Sequence, residues 1–229
     1  MKRRPTSEGP FPTRLYYSDD EIDEICSNAL AETNLLPTKP SPIRIERFIE
    51  KKFDVQVIHE PLEPGVLGFT LFGPKGAEAV YIAPTTGGSQ LFVQEDRRVN
   101  STLAHEAGHC LMHTELYIER YANETLFEDH PNVTQNRILC RDEQSNVPTK
   151  QRQYTGEWWE FQANRAIGAF LLPKQLFLSF MQPFLDRSGT KLISRLPIKM
   201  RREAIEAASR IFDVNQMVVR VRINSSQPF

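Results

Sequence analysis

Residues 101–113 read STLAHEAGHCLMH, and they set His105 and His109 on either side of Glu106-Ala107-Gly108, the HExxH spacing. On an α-helix, positions i and i+4 differ by about 40° in azimuth, so the two imidazoles reach one face and can share a metal ion. The spacing predicts a helix over 100–114. On that helix Leu103, Ala107, Cys110, Leu111 and Thr114 average to the side opposite the histidines. One face can therefore be buried while the other faces a cleft.

A catalytic zinc wants three protein ligands and one open position, so a third ligand has to come from elsewhere. The metzincin continuation would need glycine at 112 and histidine at 115, where this chain has Met112 and Glu115. His113 lies a further turn along and is placed better for the rim of the cleft than for the same ion. A second helix, predicted over 157–172 and ending before Pro173, carries Glu157, Glu160 and Asn164 on one face. Glu160 and Glu157 both stand as candidates, and spacing leans to Glu160. Asn164, at i+4 from Glu160, is suited to hold a histidine ring from behind the ligand layer.

Outward from these helices, residues 1–17 are rich in proline and charge, lack periodicity and read as a mobile arm. The stretch SDDE at 18–21 forms a capping box, with Ser18 at the N-cap and Glu21 three residues on. Residues 43–52 predict a short helix with Ile45, Phe48 and Ile49 as its apolar stripe, and 54–59 a strand. VLGFTLF (66–72) and EAVYIAP (78–84) flank a Gly-Pro-Lys-Gly turn, which is a hairpin signal. The strand ending near Tyr81 and Ile82 offers a possible edge for an extended substrate. Residues 123–153 are polar and broken by Pro131 and Pro148, reading as an insertion or lid. Together these predict an α+β fold, a small, mostly antiparallel sheet on the HExxH helix and a second ligand helix, with a helical C-terminal portion.

Composition narrows the classes. The chain has 229 residues, 28 basic against 29 acidic side chains, and a net charge of -1, which argues against wrapping nucleic acid with the whole surface. Residues 186–229 form a basic helical region that resembles a small helix-turn-helix in outline. Within 191–222 eight basic and three acidic side chains give a net +5, so this region is the candidate for contact with DNA. Cys26, Cys110 and Cys140 are odd in number and widely spaced, so they suggest neither a disulfide framework nor a cysteine zinc site. With no secretory or membrane-spanning segment in the sequence, the expectation is a soluble, cytoplasmic protein.

STLAHEAGHCLMH followed by EFQANRAIGAFLLP resembles the ImmA/IrrE family of zinc metallopeptidases, whose helix after HExxH reads E-x-x-A-N and ends in L-L-x-P. The matching residues are Glu160, Ala163 and Asn164, with Leu171, Leu172 and Pro173 closing the segment without the intervening residue. The resemblance runs over roughly residues 20–175 and makes 18–185 the expected metallopeptidase domain. It implies one Zn2+ per chain, with Glu160 as the third ligand. It also implies a selective intracellular endopeptidase whose substrate is a helix-turn-helix transcriptional repressor, cut to induce genes for stress response, mobile-element transfer or phage defence.

The chemistry of such a site follows from its ligands. Two neutral imidazoles and one carboxylate leave the metal Lewis acidic enough to bring the pKa of its water towards neutrality. Glu106 is the expected general base. Tyr81, His113, His130 and Tyr154 are candidates to stabilise the oxyanion, and Cys140 to occupy the open zinc position as a latency switch. The alternative is a DNA- or partner-binding regulator with a structural zinc and no proteolysis. Glu106 discriminates, because a structural site has no need of a carboxylate beside the metal and is normally closed by four protein ligands.

Overall fold

Ser18 starts the first helix as its sequence predicts. Its Oγ accepts from the Glu21 amide at 3.2 Å, and the Glu21 carboxylate accepts from the Ser18 amide at 2.8 Å. Helix α1 then spans Asp19–Glu32. The computed structural model describes residues 1–7, 9–84, 92–127, 137–141, 157–185 and 196–225. Helix α2 (Ile45–Phe53) buries Ile45, Phe48 and Ile49, the predicted stripe, and ends on Asp54 in the left-handed conformation.

Strands β3 (Gln56–His59), β4 (Val66–Gly73) and β5 (Gly76–Ile82) follow, with β6 (Arg137–Arg141) completing a four-stranded sheet of order β3-β5-β4-β6. All its neighbouring pairs are antiparallel except β3 with β5. This corrects one expectation. The β5 strand, which holds Tyr81, lies between β3 and β4 and has no free edge, because β3 returns alongside it after the α2 turn. Of residues 123–153, read as an insertion or lid, the described ones form the end of helix α4 (Thr114–Phe127) and strand β6. The main chain of β6 pairs with the side of β4 that β5 leaves open, an affinity that polar composition does not reveal.

The mobile arm is also corrected. Strands β1 (Lys2–Pro5) and β2 (Thr13–Tyr16) form an antiparallel hairpin, with Arg3 opposite Leu15. Phe11 and Leu15 are buried in a cluster with Phe72, Leu116, Tyr117, Trp158 and Trp159. Phe11 meets the rings of Tyr117 and Trp159 edge-on, with centroids 4.9 and 5.6 Å away. Burying two large apolar side chains is worth roughly 1.5–3 kcal/mol each, which offsets the ordering of a short hairpin that composition alone marks as disordered.

Helix α3 (Phe92–Met112) carries the HExxH residues, and helix α5 (Trp158–Leu171) packs along it. Helix α6 (Lys174–Met181), a 3-10 turn (Gln182–Phe184), α7 (Ile198–Ile211) and α8 (Gln216–Ser225) complete the helical C-terminal portion. Ala204, Ile205, Ala208, Phe212, Val214, Val219 and Ile223 belong to the same buried cluster as α1, α2, α3 and α5. The C-terminal helices thus share one core with the rest of the chain. Among the described residues no helix is long and apolar enough to cross a membrane.

Candidate metal centre

Helices α3 and α5 approach closely because their facing side chains are small. A Cβ on Gly108 would lie 2.8 Å from the Ala166 Cβ and 3.2 Å from the Ala163 Cα. With Ala104 and Ala107 also fully buried, the contact has no bulky side chain to hold the axes apart. That approach brings a carboxylate of α5 to the two imidazoles of α3. His105 Nε2 lies 3.1 Å from one Glu160 oxygen, His109 Nε2 lies 3.4 Å from the other, and the two Nε2 atoms are 2.9 Å apart.

These separations test whether the donors fit an ion. A tetrahedral metal with bonds of about 2.1 Å requires ligand atoms about 3.4 Å apart. The separations found lie at or somewhat inside that spacing; both histidines are buried, His109 fully, while Glu160 keeps about a quarter of its side chain exposed. His105, His109 and Glu160 are therefore close enough to bind a metal ion. Glu157, the competing candidate, sits exposed ahead of α5 and outside this group.

The electrostatics match a site that exchanges protons for a cation. Burial lowers the proton affinity of His105, but the hydrogen bond and charge of Glu160, with Glu106 and Asn164 adding to them, raise it overall. Burial wins at His109, whose pKa falls below the ordinary imidazole value. Glu160 is held well below the carboxylate range; burial opposes this, and the two neighbouring histidines overcome it. Asn164, expected to hold a histidine ring from behind, contributes to the electrostatics of His105, but His105 Nδ1 has no hydrogen-bond partner among the described residues.

Glu106 lies on the same helix and is completely buried. Thr70 Oγ1, from the middle of β4, donates to its Oε2 at 2.7 Å, while Oε1 has no hydrogen-bond partner among the described residues. Burial raises the Glu106 pKa to about 7, with Glu160 adding to the rise and His105 and Thr70 opposing it. A carboxyl poised near neutrality beside a metal position is the property that a general base requires.

Sequence reasoning did not find Thr70 or Gln162. The signal for Thr70 was a lone polar residue inside the apolar run VLGFTLFG. Gln162 bonds His113, which lies behind His109 and not at the rim of a cleft. Tyr81 stacks on Phe69 with centroids 4.6 Å apart. His130, Tyr154 and the side chain of Cys140 lie outside the described residues. Only the backbone of Cys140 is placed, opposite Gly68 in the β4–β6 ladder.

No family model and no curated protein matches the chain. Its fold is similar to that of a Mycobacterium tuberculosis transcriptional regulator, with a TM-score of 0.52 and 16% identity, covering 92% of this chain and 48% of that one. At that identity the likeness is one of fold. This chain spans about half the length of the protein it matches.

Proposed function

We propose that the chain is a zinc-dependent endopeptidase of the ImmA/IrrE type that cleaves a helix-turn-helix transcriptional repressor. One observation carries this reading: the convergence of His105, His109 and Glu160 beside Glu106, a buried carboxylate with one oxygen bonded and one oxygen without a partner. Three protein ligands are the number found in catalytic zinc sites, and structural sites normally have four. His105, His109 and Glu160 would hold the metal through the two Nε2 atoms and the carboxylate.

A metal so held supplies Lewis acidity, acidifying a water and polarising a peptide carbonyl. The remaining work falls to the chain. Thr70 pins Oε2 of Glu106 and leaves Oε1, which has no partner among the described residues, to accept a proton from an attacking water. Glu106 takes that proton and delivers it to the departing amine nitrogen. The burial that lifts its pKa to about 7 lets it both accept and return a proton near neutral pH.

The substrate assignment rests on the family resemblance of the two metal segments, and the likeness in fold to a protein called a transcriptional regulator is consistent with a regulatory setting. On the C-terminal helices Lys199, Arg202, Arg210 and Arg220 are exposed and available to contact the repressor or DNA. Arg222 is not, since it is buried against Asp23.

The test is a cleavage assay on the helix-turn-helix protein encoded beside this gene, with zinc, with chelator and with Glu106→Gln. Fragments requiring both metal and Glu106 are expected. An intact repressor held in a stable complex would instead support a non-proteolytic DNA- or partner-binding regulator.

A further inference from the structure

Behind the candidate metal centre runs a chain of buried hydrogen bonds that begins on the N-terminal hairpin. Gln162 Nε2 donates to the backbone carbonyl of Leu15 at 2.8 Å. Gln162 Oε1 lies 2.9 Å from His113 Nε2, and His113 Nδ1 lies 3.0 Å from His109 Nδ1. His113 is fully buried and Gln162 is 5% exposed, so protein groups and not bulk water decide where these protons sit.

The direction of every bond follows from its first member. A backbone carbonyl can only accept, so the Gln162 amide must present its NH2 to Leu15 and its oxygen to His113. That oxygen can only accept, so His113 carries its hydrogen on Nε2. A neutral His113 then has a lone pair on Nδ1, and His109 must carry its own hydrogen on Nδ1 to meet it. The lone pair of His109 is thereby left on Nε2, the atom that faces His105 and Glu160. Metal-binding histidines commonly have their tautomer set by a partner on the other ring nitrogen, and that partner is usually a carboxylate or a carbonyl. Here the carbonyl acts from two side chains away.

We propose that the Leu15 carbonyl of the N-terminal hairpin sets the metal-ready tautomer of His109 through Gln162 and His113, which makes both of them positioning residues of the metal centre. The proposal rests on the reading of His109 Nε2 as a metal donor. It adds a function for the hairpin, whose seat against Trp158 and Trp159 keeps Leu15 in place.

The experiment reads imidazole tautomers directly, by long-range proton–nitrogen NMR on the full chain, metal-free and zinc-loaded, and measures zinc affinity by competition with a chromophoric chelator. In the wild type, His113 should show Nε2–H and His109 Nδ1–H. Gln162→Met keeps the volume and removes both polar contacts. It should mix the His113 and His109 tautomers and weaken zinc binding about 10- to 100-fold.

Finding His113 as the Nδ1–H tautomer or doubly protonated in the wild type overturns the proposal without any variant. So does a folded Gln162→Met protein with unchanged tautomers and a zinc affinity within about twofold of wild type. If that variant does not fold, the wild-type spectrum decides alone. Failure of the wild type to bind zinc would overturn the metal reading and this proposal together. The outcomes are separable, because correct tautomers in a protein that binds zinc but leaves the repressor uncut would refute only the peptidase reading.

Discussion

Thr70 Oγ1 donates to Glu106 Oε2 across 2.7 Å, linking the middle of β4 to the HExxH helix. Hydrogen bonds to charged groups are worth about 1.5–3 kcal/mol. Thr70→Val keeps the shape and removes the donor. On the proposed function, it should lower kcat by about 10-fold or more while leaving zinc content unchanged. Metal analysis and steady-state cleavage of the same preparation check this. Loss of zinc in step with activity would mean that Thr70 supports the fold and not the base.

Gly108 governs how near α5 can approach. Gly108→Ala sets a methyl 2.8 Å from the Ala166 Cβ, closer than carbon atoms tolerate. Overpacking of this kind costs about 1–3 kcal/mol. Moving α5 outward also carries Glu160 away from the histidines, so zinc affinity should fall about tenfold or more. Thermal unfolding and zinc competition measure the two effects. Gly108→Ala combined with Ala166→Gly should restore both, and an unrepaired double variant would refute the steric account.

Neutral His113 should stabilise the metal-free protein less as the pH falls. Burial, with the nearby His109 adding to it, pushes the His113 pKa down to about 3, from the ordinary imidazole value of 6.5. Its pKa is depressed on folding, so the stability of its neutral form is fully present above pH 6.5 and is lost as pH falls towards 3. His109 and Glu160 have the same sign, the loss for Glu160 beginning below the ordinary carboxylate value of 4.5. His105 and Glu106, whose pKa values are raised, have the opposite sign: the His105 contribution is present below pH 6.5 and is lost above it, and that of Glu106 is present below pH 4.5 and is lost as pH rises through about 7. One differentially bound proton gives a slope of about 1.4 kcal/mol per pH unit. Between pH 6 and 4, His113→Gln should flatten the urea-unfolding curve measured against pH. Parallel curves for the two proteins would show that His113 does not titrate as described.

Arg222 Nη2 lies 2.6 Å from the Asp23 carboxylate, with side-chain exposures of 7% and 9%. This pair binds the last helix to the first. Removing one member strands a buried charge, at about 3–5 kcal/mol. Arg222→Met should therefore destabilise strongly in chemical denaturation. Replacing both members, as Asp23→Leu with Arg222→Met, should recover most of the loss. A single variant no weaker than the double would show that solvent reaches the charge.

Periodicity revealed what local sequence controls. The Ser18–Glu21 box, the stripe of α2, the β4–β5 hairpin and the α5 stop before Pro173 are each encoded within a few residues, and each was legible. The HExxH pair was legible for the same reason, since one turn of helix brings both imidazoles together. The hairpin of residues 2–16 was not legible, because its order comes from Phe11 and Leu15 meeting Tyr117, Trp158 and Trp159, more than 100 residues away for all of them. Nor was the pairing of β6 with β4, which brings main chain at 137–141 to 66–71.

By itself the sequence determined two candidate metal donors, the carboxylate between them, and a short set of candidates for the third donor. The tertiary structure chose Glu160 over Glu157, gave Glu106 its Thr70 partner and lined up His113, Gln162 and Leu15 behind His109. The physical reason is range. Helical spacing acts over a single turn and is written in neighbouring letters. The distance from α3 to α5 depends on whether Gly108 meets Ala163 and Ala166, 55 and 58 residues further along, and only packing decides that.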